Sequence, residues 1–321
     1  MKIKRLVIEN FKSIERIELI EPNPFTVFVG PNGSGKSNIF EALEFVNTVA
    51  SVKSETAIRL FRGEDSFLNR NQEQIPIRVE FSFVPEQEVR LSKISGSYRV
   101  TSNYPESYPH EGPSKANQQF FANFCRLFCK NGDLVKIPFK DDERLSLDAN
   151  NLEPVLKRIL ANDILKNEVF EWLELFIPGF KAVEVDDRNE LHWFEQFSPD
   201  YFTKDLISDG TYNILALLTA VYQSDDTPQF LCIEEPENGL HPQVLMTLVD
   251  FFRQQCEEKG HCIWLNTHSE SLVRKLQPEE IVLVNKREGS TQIKQIKDRN
   301  LYDLQMDEAW LTGALGGGLP W

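Results

Sequence analysis

Gly30-Pro31-Asn32-Gly33-Ser34-Gly35-Lys36-Ser37 fills every position of the pattern G-x-x-x-x-G-K-[ST]. Its flanks suit it. The apolar run Phe25–Val29 enters the motif with the look of a strand. Behind it, Ile39, Ala42, Leu43, Phe45, Val46 and Val49 recur at helical spacing. Glycines at 30, 33 and 35 let the backbone curl, so that several N–H groups converge on one phosphate group. The helix that follows adds the partial positive charge of its N-terminus. Lys36 is expected to supply a compact cation to the β and γ phosphates, and the Ser37 hydroxyl to bind Mg²⁺. Asn32, Gly33, Ser34 and Gly35 complete the expected ATP cradle.

A phosphate cradle needs an acid to hold the metal and a base to activate water. Phe230-Leu231-Cys232-Ile233-Glu234-Glu235 is an apolar strand ending in two carboxylates. Consecutive strand residues point to opposite faces, so the two acids take different tasks. Glu234 is assigned to the metal and Glu235 to the water that attacks the γ-phosphate. Pro236-Glu237-Asn238-Gly239-Leu240-His241-Pro242 then reads as a turn opening a helix. Trp264-Leu265-Asn266-Thr267-His268-Ser269 repeats the logic: an apolar strand ends in His268, placed to sense the γ-phosphate.

The remaining chain supports a layered α/β fold. Strands are expected at 3–9, 14–19, 75–83 and 96–102, and a polar loop at 104–117. From 118 to 176 the apolar spacing reads as helical, through Phe120, Phe121, Phe124, Leu127 and Phe128, then Leu156, Ile159, Leu160, Val169, Trp172 and Leu173. A hairpin is expected at 180–194. Helices at 210–222, 242–259 and 269–275 then alternate with strands at 230–234, 262–266 and 281–284. The expected division is a first core part at 1–85, an inserted, mainly helical lobe at 86–178, and a second core part at 179–321.

Composition narrows the function. Hydrophobic residues make up 41% and charged residues 26% of 321 residues, an ordinary globular balance. A net charge of −14 argues against binding nucleic acid through bulk positive charge, so DNA contact by this chain alone is expected to be local and weak. Glu9, Asn10 and Lys12 interrupt any secretory apolar segment, and no run of about 18 apolar residues exists. The five cysteines, at 125, 129, 232, 256 and 262, are odd in number and dispersed, as expected of reduced thiols in a cytoplasmic protein. Cys125 and Cys129, read as one helix face, lack the second pair that a zinc site needs.

Together these segments resemble the ABC-type ATPase superfamily, and within it the RecF, SMC and OLD branch in its compact "AAA family ATPase" form. Ile8-Glu9-Asn10-Phe11-Lys12-Ser13 is similar to that branch's N-terminal strand motif, and Gly30–Ser37 followed by Asn38 to its Walker A. Ile207-Ser208-Asp209-Gly210-Thr211 looks like its signature motif, the stretch 233–242 like its Walker B and D-loop, and 266–269 like its switch histidine. The segment 310–320 also looks familiar from this group. Two positions depart from the pattern: Glu234 stands where the superfamily usually has Asp, and Asp209 where many signatures have Gly. Gln118 or Gln119 is the expected Q-loop residue.

The resemblance implies an ABC-ATPase head, a mixed β-sheet P-loop core that dimerises head to tail or forms a higher assembly of such dimers. It adds Lys12, Ser13 and Asn38 to the nucleotide site, and Ser208, Asp209 and Gly210 as the cap over a partner's ATP. It implies ATP and Mg²⁺ as ligands, and a switch in DNA maintenance or anti-phage defence working with a separate effector protein. OLD-type nucleases carry their nuclease after the switch histidine. No matching acidic cluster follows His268 here, so a nuclease is expected on another chain. A nucleotide-gated scaffold with little turnover is the alternative. A transporter's ATPase subunit fits poorly, because the signature lacks the Gly-Gly-Gln form, and no membrane partner is expected.

Overall fold

A computed structural model describes residues 2–69, 75–84, 87–103, 123–128, 143–225, 227–296 and 305–315. Two larger sheets organise them. β1 (Lys2–Phe11), β2 (Ile14–Ile20), β4 (Arg78–Val84), β5 (Gln87–Ile94) and β6 (Ser97–Asn103) form an antiparallel sheet in the order β2-β1-β4-β5-β6. The second sheet contains β3 (Phe25–Val29), β7 (Phe124–Phe128), β10 (Phe230–Glu234), β11 (Cys262–Thr267), β12 (Ile281–Arg287) and β13 (Ser290–Gln295), in the order β13-β12-β3-β11-β10-β7. Its strands run parallel except for β13, which turns back on β12. The Gln295 side chain joins the sheets, accepting from Ile20 N at 2.8 Å and donating to Ile20 O at 2.9 Å.

Helix α1 (Lys36–Ser51) leaves β3, and α2 (Ser54–Leu60) follows it. Further on come α3 (Leu152–Leu160), α4 (Asp163–Phe176), the hairpin β8 (Phe180–Val185) and β9 (Leu191–Glu195), and α5 (Asp209–Tyr222). α6 (Pro242–Glu258), α7 (Glu270–Arg274) and α8 (Met306–Leu311) complete the described helices.

The parallel sheet is buried on both faces, and strand alternation divides its side chains between two cores. Val27, Leu231, Ile233, Ile263 and Leu265 enter one core with helices α3 to α6. Phe28, Phe230, Cys232, Cys262 and Trp264 enter the other, with α1 and the antiparallel sheet. α1 is thus sandwiched between two sheets, and its start is pinned at the end of β3.

Several expectations are corrected. Phe124–Phe128 is a strand beside β10, not part of a helix. Both its faces are covered, so its apolar residues run on without alternating, and such a run resembles a buried helix. Cys125 therefore does not lie on a helix face, and Cys129 lies outside the described residues. The stretch 86–178 is not mainly helical where described: β5 and β6 extend the antiparallel sheet, and helices begin at Leu152. β13 was not expected. Its hairpin turn uses Glu288 and Gly289, with φ of 51° and 84°, the paired positive values that a tight hairpin favours. The expected loop at 104–117, Gln118, Gln119, Phe120 and Phe121, and the end of the 310–320 stretch, lie outside the described residues. No helix among the described residues is long and apolar enough to cross a membrane.

Candidate nucleotide site

The P-loop is held from behind by strands remote in sequence. A side chain at Gly30 would meet the Val284 carbonyl oxygen at 2.0 Å. Gly35 has φ of 101°, and a Cβ there would lie 2.0 Å from Thr291 Oγ1 and 2.8 Å from Ser13 Oγ. Only glycine meets both demands. Thr291 Oγ1 donates to Ser34 O at 3.0 Å and shares a hydrogen bond with Ser13 Oγ at 2.6 Å, and Ser13 Oγ accepts from Asn38 Nδ2 at 2.7 Å. Ser13 and Asn38 thus brace the loop. Lys12 lies nearby but pairs with Glu41 of α1. Asn32 and Gly33 form the exposed outer turn of the loop, and the buried Ser34 hydroxyl has no hydrogen-bond partner among the described residues.

Lys36 Nζ donates to the carbonyls of Gly30 at 2.7 Å and Pro31 at 3.1 Å, which curls the ammonium back over the loop. Burial lowers its pKa, and the nearby Glu235, Glu237 and Glu234 oppose that shift. Ser37 Oγ donates to Glu234 Oε2 at 2.5 Å. A hydroxyl and a carboxylate so converged, from the first turn of a helix and the end of a strand, are oxygen ligands of the type Mg²⁺ takes. The residues present therefore fit the metal.

Asn266 lies opposite Glu234 in the β10–β11 pairing and is buried. Its Nδ2 donates to Glu234 Oε2 at 3.2 Å, and its Oδ1 and main-chain oxygen accept from Glu235 N at 3.1 and 3.0 Å. Glu235 has φ of 47°, a left-handed conformation that costs a side-chain-bearing residue energy. The two grips from Asn266 hold it there, and its half-buried side chain leaves the strand's alternation. Next in the chain, Glu237 Oε1 accepts from Thr267 Oγ1 at 2.7 Å and His268 N at 3.1 Å, with His268 Nδ1 at 3.5 Å. His268 itself is exposed, beside the acidic strand.

Ser208, Asp209 and Gly210 sit at the start of α5. Ser208 Oγ caps the helix, accepting from Thr211 N at 3.1 Å. Gly210 packs so tightly on the 236–241 turn that a Cβ would lie 2.4 Å from Gly239 O. Asn213, one turn on, donates to the carbonyls of Pro236 at 3.2 Å and Asn238 at 2.8 Å. The contacts of 208–210 thus run to α5 and this turn rather than to the P-loop of the same chain, while Ser208 and Asp209 stay exposed.

A family model described as "AAA ATPase domain" matches residues 1–167, more than half of the chain. The chain belongs to this AAA ATPase domain family. A second model, "AAA domain, putative AbiEii toxin, Type IV TA system", matches residues 130–274. The chain is 30% identical over 96 residues to the DNA replication and repair protein RecF of Citrifermentans bemidjiense, covering 29% of this chain and 26% of that protein. It is 46% identical over 67 residues to the chromosome partition protein Smc of Methanocaldococcus jannaschii, covering 21% of this chain and 6% of that protein. The matched stretch thus spans about a quarter of the RecF relative's length. Among solved structures, the SMC head domain from Thermotoga maritima aligns with a TM-score of 0.53 at 16% identity, over 93% of this chain and 100% of that one. An SmcHead bound to the C-winged helix domain of ScpA aligns with a TM-score of 0.56 at 17% identity, over 96% and 98%. The fold is that of an SMC head, and over the matched stretches the chain is similar to RecF and Smc proteins.

Sequence reasoning gave no role to Asn266, Thr291 or Arg126. Asn266 stood inside the quoted switch segment, directly across from Glu234 once strands pair. Arg126 was visible as a lone charge in the apolar run Phe124–Phe128. Thr291 carried no signal, because its role arises only when β13 folds back on the loop.

Proposed function

We propose that this chain binds ATP with Mg²⁺ and hydrolyses it, as a switch that pairs head to tail with a second copy. One observation carries the reading: Ser37 Oγ and Glu234 Oε2 meet at 2.5 Å beside Lys36, with Glu235 the first residue past the end of β10. In this reading the loop amides and Lys36 hold the phosphates. Ser37 and Glu234 hold Mg²⁺, which neutralises phosphate charge when bound. Glu235, set apart by its left-handed backbone, accepts a proton from water, and His268 senses the γ-phosphate. Asn32, Gly33, Ser34, Gly35 and Asn38 line the cradle, and Lys12 and Ser13 belong to its edge.

Ser208, Asp209 and Gly210 cap the partner copy's nucleotide in this reading, which the exposure of Ser208 and Asp209 at a helix N-terminus supports. The RecF relatives, named for DNA replication and repair, support work on DNA, and the ScpA domain bound to one SmcHead supports a separate effector protein; this reading puts the chain in the cytoplasm. DNA contact is local and weak, given the net charge of −14. In this reading the core takes in 1–85, the strands β5, β6 and β7, and 179–321, and α3 and α4 are the helices of the insertion.

Glu235→Gln tests the reading. Gln keeps the volume but cannot accept the proton, so turnover is expected to fall by about 10²–10⁴ while ATP binding remains. The variant should then accumulate as an ATP-dependent dimer in light scattering, and adding Ser208→Arg should disperse it. Turnover at the wild-type rate in Glu235→Gln removes Glu235 from the mechanism.

A further inference from the structure

Arg126 is buried in β7, at the edge of the parallel sheet, two residues before the position paired with Glu234. Residues two apart on a strand share a face, so Arg126 and Glu234 both look toward α1. Its guanidinium forks onto Glu234: Nε donates to Oε1 at 2.6 Å, and Nη2 pairs with the same oxygen. Nη1 reaches Glu44 of α1, with Glu41 at 3.8 Å. Burial opposes the charge of the guanidinium, but Glu44, Glu234 and Glu41 outweigh it and hold its pKa above the ordinary value.

The two oxygens of Glu234 therefore have separate partners. Oε1 belongs to Arg126, while Oε2 faces Ser37 and Asn266. A planar fork fixes the rotation of a carboxylate as a point charge cannot. It also places a permanent positive charge against the acid that would hold the metal, in a buried setting where Coulomb forces are weakly screened.

We propose that Arg126 is a positioning residue with two effects: it aims Glu234 Oε2 at Ser37, and its charge keeps a divalent cation off Glu234 until nucleotide brings further negative charge. This rests on the reading of Glu234 as the metal-holding acid. Without Arg126, Glu234 and Glu44 form a buried pair of carboxylates with no guanidinium between them, and a divalent cation is the natural replacement. Metal loading in the wild type then follows nucleotide.

The test uses Mn²⁺ alone on the full chain, with free Mn²⁺ followed by electron paramagnetic resonance and melting temperature in parallel. Wild type is expected to take up little Mn²⁺ without nucleotide. Arg126→Met is expected to bind Mn²⁺ alone at least about tenfold more tightly and to gain melting temperature as it binds. Arg126→Lys, which keeps the charge but loses the fork, should still exclude Mn²⁺ alone. Should Arg126→Met not fold, Arg126→Gln, which keeps an amide donor beside the two carboxylates but removes the charge, takes its place, and the same gain in uptake is expected. Uptake by the folded Arg126→Met or Arg126→Gln variant within twofold of wild type overturns the proposal, as does wild type binding Mn²⁺ alone as tightly as the variant. ATP titrated into wild type with Mn²⁺ is the separate arm: absence of binding there counts against the nucleotide reading itself.

Discussion

Asn266 offers a sharp test of how the two acids are held, because two changes of similar size at this site should differ in their dependence on pH. Asn266→Leu removes the amide. Glu234, buried, loses a donor at 3.2 Å, which costs about 1.5–3 kcal/mol for a bond to an ionised group. Glu235 N loses the Oδ1 acceptor but keeps the main-chain one, so roughly 0.5–1 kcal/mol is added. The expected total is about 2–4 kcal/mol, nearly constant with pH. Asn266→Asp keeps the acceptor for Glu235 N but sets an oxygen where the donor stood, against Glu234 Oε2. Two adjacent buried carboxylates cannot both ionise cheaply, so the folded pair holds a proton that the unfolded chain releases at about pH 4. The folded state then binds more protons than the unfolded state, and stability falls as pH rises above that value. Urea unfolding at pH 5 and pH 8 measures this. Asn266→Asp should lose about 1–3 kcal/mol relative to Asn266→Leu between the two conditions. A gap between the variants that does not change with pH, or wild-type stability of Asn266→Asp at pH 8, would refute the contact with Glu234.

Lys36→Ala should weaken ATP binding by at least about a hundredfold in isothermal titration, since it removes a charged contact to phosphate; unchanged affinity would move the phosphate site elsewhere. Gly35→Ala combines an unfavourable φ with a clash on Thr291, so a loss of about 2–4 kcal/mol is expected in thermal or urea unfolding. Adding Thr291→Ala should recover only part of that loss, because the φ penalty stays with position 35. Asn213→Ala strips donors from the Pro236 and Asn238 carbonyls and should cost about 1–3 kcal/mol. If this turn couples α5 to Glu235, turnover in that variant falls while ATP affinity, measured separately, does not.

The sequence by itself determined the P-loop, the acidic strand and the class of fold. Each rests on local rules: glycine where the backbone must turn left-handed, lysine and serine at fixed offsets, and apolar runs whose period reveals helix or strand. Those rules act over a few residues, so Gly30–Ser37, Glu234 and Glu235 could be assigned before any contact was known. Strand β7 escaped them, because an apolar run buried on both faces has no alternation to display. The hairpin bringing Thr291 against Gly35 escaped as well, since that contact joins residues far apart in the chain. The same holds for Arg126, Glu44 and Glu234, which come from a strand, a helix and a second strand. Parallel pairing of β7 with β10 and the packing of α1 across them bring these charges together in a buried space. A sequence shows that a lone arginine lies in an apolar run. Only the tertiary structure decides which carboxylates must neutralise it, because a charge removed from water is compensated by whatever the fold places beside it.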